Sequence, residues 1–223
     1  MKKIQIILSA FVILFGLNTA SQAEIGFGAT LVTGETSASG SENMKGSAGQ
    51  GGGHNSITKD ADYDLAEVFI EYIHESGSVI GLAHIPGEAS LGKSTTTRTQ
   101  SKAIGTDTVT QIAAADAGNH NMIYIETPFI NDALFVTAGI ASVDITTKET
   151  LGTGAAYGNT SSNGYMVGVG VKADWGSNLY VKASLNYTDY EQLNISSTGS
   201  DVASTITADL DTTAAKVSLG FKF

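Results

Sequence analysis

The chain has 223 residues with 22 acidic and 12 basic side chains, a net charge of −10, and that negative excess excludes nucleic acid as a partner. It has no cysteine, so an exported form carries no disulfide framework. Beyond the N-terminal segment no stretch approaches the roughly 18 consecutive apolar residues of a membrane helix, while 26 glycines against two prolines point to strands and loops.

Residues 1–23 read as a secretory signal. Lys2 and Lys3 form its positive start, residues 4–17 its apolar run, and Ser21-Gln22-Ala23 its small-x-small cleavage site. The apolar run, about 14 residues, falls short of the roughly 20 that a spanning helix needs. The mature part is expected to be a single domain, 24–223, and loss of Lys2 and Lys3 leaves it 10 basic against 22 acidic residues, a net of −12.

The mature part alternates with a period of two, which predicts strands. Ile25, Phe27, Ala29 and Leu31 open a first strand. Ala66, Val68, Ile70 and Tyr72 alternate with Glu67, Phe69 and Glu71 in a second, and residues 74–78 turn it into a third, 79–85. There the phase stays open, because Ile80 and Leu82 compete with Val79, Ala83 and Ile85. Ile123, Ile125 and Phe129 share a face in a fourth strand, and Asn131-Asp132 turns it into a fifth carrying Leu134, Val136, Ala138 and Ile140. Tyr165, Val167, Val169 and Val171 define the sixth; Leu179, Val181, Ala183, Leu185 and Tyr187 define the seventh, joined to it by Trp175-Gly176-Ser177-Asn178. The eighth ends the chain with Ala215, Val217, Leu219, Phe221 and Phe223 against Lys216, Ser218, Gly220 and Lys222.

Eight strands in four hairpins leave long connections at about 34–62, 86–121, 147–163 and 190–211. Short turns on one side and long loops on the other predict an all-β, closed antiparallel up-and-down transmembrane barrel, with short periplasmic turns and long extracellular loops. A soluble β-sandwich also alternates, but its polar faces do not mix small and charged residues as these do. Among the loops, Gly40 to Ser56 is low in complexity and is expected to be mobile. Residues 91–115 and 193–206 are expected to continue as protruding hairpins, turning near Gly105-Thr106-Asp107 and Thr198-Gly199-Ser200.

The segment from Gly164 to Trp175, followed by Leu179 to Tyr190, resembles the penultimate hairpin of small bacterial outer-membrane β-barrel proteins of the OmpX, OmpW and OmpA-barrel type. The closing Lys216-Val217-Ser218-Leu219-Gly220-Phe221-Lys222-Phe223 is similar to their insertion signal, in which Val217, Leu219, Phe221 and Phe223 would be read by the barrel-assembly machinery. The resemblance implies a bacterial outer-membrane location and contact with outer-membrane lipid and lipopolysaccharide. It also implies a monomer, and loops open to an extracellular ligand or phage. It implies no cofactor.

If the apolar faces meet lipid, Glu67, Glu71, Glu126, Lys172, Lys182, Lys216 and Lys222 point into the lumen, where charges are costly unless paired. Acids on strands two and four and lysines on strands six to eight are expected to form an ionic plug. Asp174, near the periplasmic rim, is expected to be solvated. Asp60, Asp62 and Asp64 have the spacing of EF-hand ligands, but Leu65 stands where that loop needs glycine, and the three are expected to form an acidic rim above the membrane, open to divalent ions and lipopolysaccharide.

His54-Asn55-Ser56 and His74-Glu75-Ser76 share the His-x-Ser spacing of lipid A deacylases. The first sits in a glycine-rich run and the second at a periplasmic turn, so no catalysis is expected. His84 and His120 lack ligand-spaced partners, and no metal is expected. Two roles follow: a structural or surface-interaction barrel acting through its loops, or a narrow porin-like channel for passive diffusion of small solutes. Phe69, Tyr124, Phe135 and Tyr180 would obstruct such a channel; Gly26, Gly28, Gly168, Gly170 and Gly220 would leave it room.

Overall fold

A computed structural model describes residues 23–44, 53–101, 106–130, 133–150, 156–198 and 204–223. Residues 1–22 of the expected signal (1–23) and the turn Asn131-Asp132 lie outside these. Ten strands run in chain order: β1 (Glu24–Met44), β2 (Gly53–Ile73), β3 (Val79–Ser101), β4 (Thr106–Ile130), β5 (Leu134–Thr147), β6 (Ala156–Tyr157), β7 (Thr160–Trp175), β8 (Leu179–Tyr190), β9 (Leu193–Thr198) and β10 (Ser204–Lys222). The short β6 pairs with β9, and β9 pairs with β10, so β6 with β7 and β8 with β9 each make one interrupted stave of an eight-stave barrel.

Every neighbouring pair is antiparallel, and β10 closes the ring on β1 from Gly26↔Lys222 to Met44↔Ser204. Following paired residues around the wall leads from Phe27 through Ile70, Leu82, Ile123, Ile140, Tyr165, Asp189 and Asp211 back to β1 at Ser37, a stagger of ten residues. With a rise of about 3.3 Å per residue and strands about 4.8 Å apart, that stagger tilts the strands by roughly 40° around a cylinder of about 8 Å radius.

The short turns are tight for local reasons. Gly77 (φ 79°) and Gly176 (φ 76°) take left-handed conformations that a side chain disfavours. The first turn is also tied by His74 N–H to Ser78 O at 2.8 Å.

The long connections differ from expectation. Residues assigned to loops at 34–62, 86–121, 147–163 and 190–211 are mostly strand. β1 and β2 stay paired up to Met44↔Gly53, so residues 40–44 and 53–56 of the low-complexity segment are strand; residues 45–52 lie outside the described set. Two stretches follow expectation: β3 and β4 run on to Ser101↔Thr106, and β9 pairs with β10 from Leu193↔Ala208 to Ser196↔Thr205, as hairpins over 91–115 and 193–206. Thr, Ser and Asn in these stretches hold the ladder by side-chain bonds such as Ser39 Oγ to Thr58 Oγ1 at 2.6 Å, rather than by the apolar alternation that makes a strand easy to see.

Outside, an apolar belt surrounds the half of the barrel nearest the short turns. Leu31, Val68, Ile125, Val136, Val169, Leu185, Val217 and Leu219 are exposed there, with Trp175, Phe129 and Phe223 toward the turn end. A surface of this kind suits lipid, with aromatic residues at its margin. Above the belt the pattern inverts. On β5 the outward series passes from Ile140 to Ser142 and Asp144 while Ala141, Val143 and Ile145 are buried inside; on β2, outward Asp64, Asp62 and Asp60 replace Val68 and Ile70. β3 settles its open phase with Val79, Ala83 and Ile85 inward and Ile80 and Leu82 outward.

One seam is incomplete. β2 and β3 pair over only six positions, from Ile73↔Val79 to Val68↔His84, whereas β1 and β2 pair over 21. The ladder stops where Pro86, which has no N–H, enters β3. Two bulges interrupt β3 against β4, between Ile85 and Glu88 and between Ser90 and Lys93, the second at Gly92 with φ 100°. Beyond Val68, side chains span the seam: Leu65 Cδ2 lies 2.7 Å from where a Cβ on Gly87 would stand.

Candidate functional site

The interior divides into a charged floor and an apolar chamber. The floor begins with Glu71 of β2, 2% exposed. It receives Tyr124 Oη–H at Oε1 (2.6 Å) and Tyr180 Oη–H at Oε2 (2.7 Å), so both carboxylate oxygens are bonded from opposite walls. Lys182 of β8 donates to the same Glu71 Oε1 and to Glu126 Oε1 of β4 at 2.8 Å. Its ammonium also faces the rings of Phe69 (5.2 Å), Tyr124 (5.7 Å) and Phe135 (5.9 Å). A second pair lies above, Lys216 Nζ to Glu67 Oε2 at 2.6 Å, beside Thr30 Oγ1 and Ser218 Oγ at 2.8 Å. A third lies at the rim of the short-turn end, where Lys222 meets Glu24 at 3.2 Å and Asp174 at 3.5 Å.

The seven lumen charges read from the sequence therefore sit in separate groups. Lys172 joins none of them: among the described residues no carboxylate lies within ion-pair distance, and its ammonium rests 5.0 Å above the Tyr180 ring. The expectation that it meets an acid across the lumen is corrected, because Tyr180 occupies the space between. Glu24 and the two tyrosine hydroxyls were missed as partners. The tyrosines were legible only as bulk, since nothing in a strand pattern tells which carboxylate a phenol reaches across a barrel.

The contrast between obstructing rings and room-making glycines is also corrected. The rings lie on the glycines. A Cβ on Gly220 would stand 2.2 Å from Tyr180 Cζ, one on Gly81 2.2 Å from Tyr124 Cζ, one on Gly170 2.3 Å from Phe135 Cζ, and one on Gly28 2.5 Å from Phe69 Cζ. Each glycine lets a ring from a neighbouring strand lie flat across the wall of the lower lumen. Gly168 is filled in the same way by Asn186.

Above this floor is a cavity, partly open to solvent. Its lining includes Val32, Leu65, Ile85, Leu91, Met122, Val143, Met166, Leu210 and Ala214, with Tyr63, Tyr190, His120, Asn186 and Lys216 among them. Both sides of the incomplete seam contribute, Tyr63 and Leu65 from β2 and Ile85, Gly87, Ala89 and Leu91 from β3. At the far end Tyr157 of β6 is buried and its hydroxyl donates to Glu42 Oε1 of β1 at 3.0 Å, while its N–H meets Glu149. Burial and the Glu42 carboxylate push the Tyr157 phenol well above its ordinary range, so it remains a donor.

The remaining candidates lie outside the interior. Asp60, Asp62 and Asp64 point outward above the belt, opposite Ser37, Glu35 and Thr33. Among the described residues no three acidic, histidine or cysteine side chains gather to hold a metal. His74 Nδ1 lies 2.9 Å from Ser76 Oγ in an exposed turn, and His54 Nδ1 lies 2.7 Å from Asn43 Oδ1. Val217, Leu219 and Phe221 face outward on β10, and Phe223 beyond its end packs against Phe27 with ring centres 6.2 Å apart.

No protein-family model and no curated protein sequence matches the chain. Among solved structures, the outer membrane protein OprG from Pseudomonas aeruginosa is similar at a TM-score of 0.57 and 10% identity, with 91% of this chain and 97% of that chain covered. The outer membrane protease OmpT from Escherichia coli aligns at a TM-score of 0.47 and 10% identity, covering 93% and 99%, and the attachment invasion locus protein Ail of Yersinia pestis at 0.36 and 11%, covering 88% and 99%. The likeness to OprG is one of fold: a closed, antiparallel outer-membrane β-barrel.

Proposed function

We propose that the chain is an exported outer-membrane barrel that admits small apolar solutes to its chamber from the cell exterior and releases them sideways, between β2 and β3, into the membrane. One observation carries this reading: the apolar chamber is bordered by both edges of a seam whose ladder stops early among the described residues, while the charged floor stands between it and the periplasmic turns. A polar or ionic solute would have to displace the buried pairs of that floor, at a cost of several kcal/mol; an apolar one needs only to part side chains at the seam. This narrows the porin-like expectation to a lateral, apolar path.

The seam offers a direct test, because the chain has no cysteine of its own. Leu65 Cγ lies 3.9 Å from the Cβ position at Gly87, close enough for a Leu65→Cys, Gly87→Cys pair to form a disulfide after a small shift. Cells producing the oxidised variant should take up radiolabelled toluene about as slowly as cells without the protein, and reduction should restore the rate. Uptake unchanged by oxidation would show that solute does not leave at this seam.

Insertion is proposed to depend on the terminal strand, with Phe223 at its end. Phe223→Asp should leave export to the periplasm intact but greatly reduce the protease-resistant, membrane-inserted fraction. Full insertion on cell fractionation would remove Val217, Leu219, Phe221 and Phe223 as a recognition signal. The outward Asp60, Asp62 and Asp64 then form a solvated rim at the level of lipopolysaccharide phosphates, where divalent ions bridge like charges.

A second reading, recognition at the cell surface, draws on the paired ribbon of residues 95–101 and 106–112, which rises beyond the barrel wall. A ribbon that stands clear of the wall is a shape that a surface partner can recognise. Removing residues 95–112 should abolish adhesion or phage adsorption under this reading and leave toluene uptake intact.

A further inference from the structure

We propose, on the reading of the chamber given above, that it selects apolar molecules bearing one hydroxyl group, and that His120 is the residue that makes the selection.

The observation begins with a bulge. β4 places three steps, from Gly118 to Asn121, against two on β5, from Asp144 to Ser142, and Asn119 takes a left-handed conformation (φ 50°) to do so. Bulges re-aim side chains, and this one is clamped. Asn119 Nδ2–H donates to Asp144 Oδ2 at 3.1 Å, Asn121 Nδ2–H to the Asn119 carbonyl at 2.7 Å, and His84 Nδ1 lies 2.9 Å from Asn121 Oδ1. Between the clamped residues His120, opposite Ile85, borders the chamber, its ring edge-on to Tyr190 with centres 6.3 Å apart. His120 Nδ1 is buried and has no hydrogen-bond partner among the described residues. Buried polar side-chain atoms are nearly always bonded, so this one marks where a polar group of a guest belongs.

The chemistry of that group follows from the surroundings. A carboxylate would compete for the Lys216 ammonium, the one Lys or Arg among the described lining residues, which already holds Glu67 at 2.6 Å. A neutral group is favoured. Nδ1 donates in one tautomer and accepts in the other, and a hydroxyl, which does both, satisfies either. The rest of such a guest meets Val32, Leu65, Ile85, Val143 and Leu210 and must be apolar. Phenol has this form, and toluene is the same ring without the hydroxyl.

The test uses the full mature chain in lipid nanodiscs with ¹⁵N-labelled histidine, titrated with phenol and with toluene, each corrected for partition into lipid. Phenol should shift the His120 imidazole resonance and not that of His84, and should bind about tenfold more tightly than toluene. His120→Phe keeps the ring edge against Tyr190 and should abolish the preference for phenol over toluene. His120→Gln, whose amide both donates and accepts, should recover part of the preference. A wild type that binds both equally, or a His120→Phe variant that keeps the preference, would overturn the selection by His120 and leave the apolar path standing. A wild type that binds neither would overturn both.

Discussion

Lys182→Met should be the most damaging single change in the interior. It removes one ammonium from between two carboxylates, Glu71 and Glu126, both buried, with only Tyr124, Tyr180 and distant cations left to face them. Breaking a buried pair by taking one partner costs about 3–5 kcal/mol, more than the pair is worth against apolar residues, because the stranded charge has lost its solvent as well as its partner. Unfolding in urea from phospholipid vesicles should show that loss. A Glu71→Gln, Glu126→Gln, Lys182→Met triple variant, with no charge left to strand, should recover most of it. The wild type should conduct ions poorly and intermittently in planar bilayers, and Lys182→Met should conduct more. A large, steady wild-type conductance that Lys182→Met leaves unchanged would show that the floor does not close the barrel.

Val169→Arg should cost nearly as much for the opposite reason, by placing a charge outside rather than stranding one inside. Val169 is 54% exposed on the apolar belt of β7. It lies six residues from Trp175 at the turn-end margin, about 15 Å along the barrel axis at the tilt set by the stagger, near the middle of a belt about 25 Å tall. Arginine at that depth costs about 2–4 kcal/mol, and at the interface about 0–1. Ala173→Arg, on the same face but close to Trp175, should therefore cost no more than about 1 kcal/mol. Equal losses in reversible unfolding from vesicles would show that the belt does not meet lipid along β7 as its exposure indicates.

The site was legible unevenly. Glu67, Glu71, Glu126, Lys182 and Lys216 could be placed inside from parity alone, because a side chain on the face opposite Val68, Ile125 or Val217 has nowhere else to go. Which acid would meet which lysine could not, since Glu71 and Lys182 are 111 residues apart and meet only through the stagger and the width of the barrel. His120 was read as a histidine without ligand-spaced partners, and spacing holds no trace of a bulge that needs Asn119 at positive φ. The seam was hidden in the same way. Pro86 could be seen in the chain, but its effect depends on β2 lying beside it.

The sequence by itself determined what strict alternation can encode: all-β architecture, eight staves, tight turns at one end, and the outward phase wherever one face is uniformly apolar. There the physics is local, since a strand puts alternate residues on opposite faces and a lipid-facing surface must be apolar along its length. It failed where neither face is apolar, as in the Ser- and Gly-rich ends of β1 and β2, and where the apolar side changes from outside to inside between Ile140 and Val143. Only the tertiary structure decided that inversion, the flat seating of Tyr180 on Gly220, the sharing of Lys182 between two acids, and the early end of the β2–β3 ladder at Pro86. Each depends on contacts across the barrel or between strands whose register is set by closure of the whole ring.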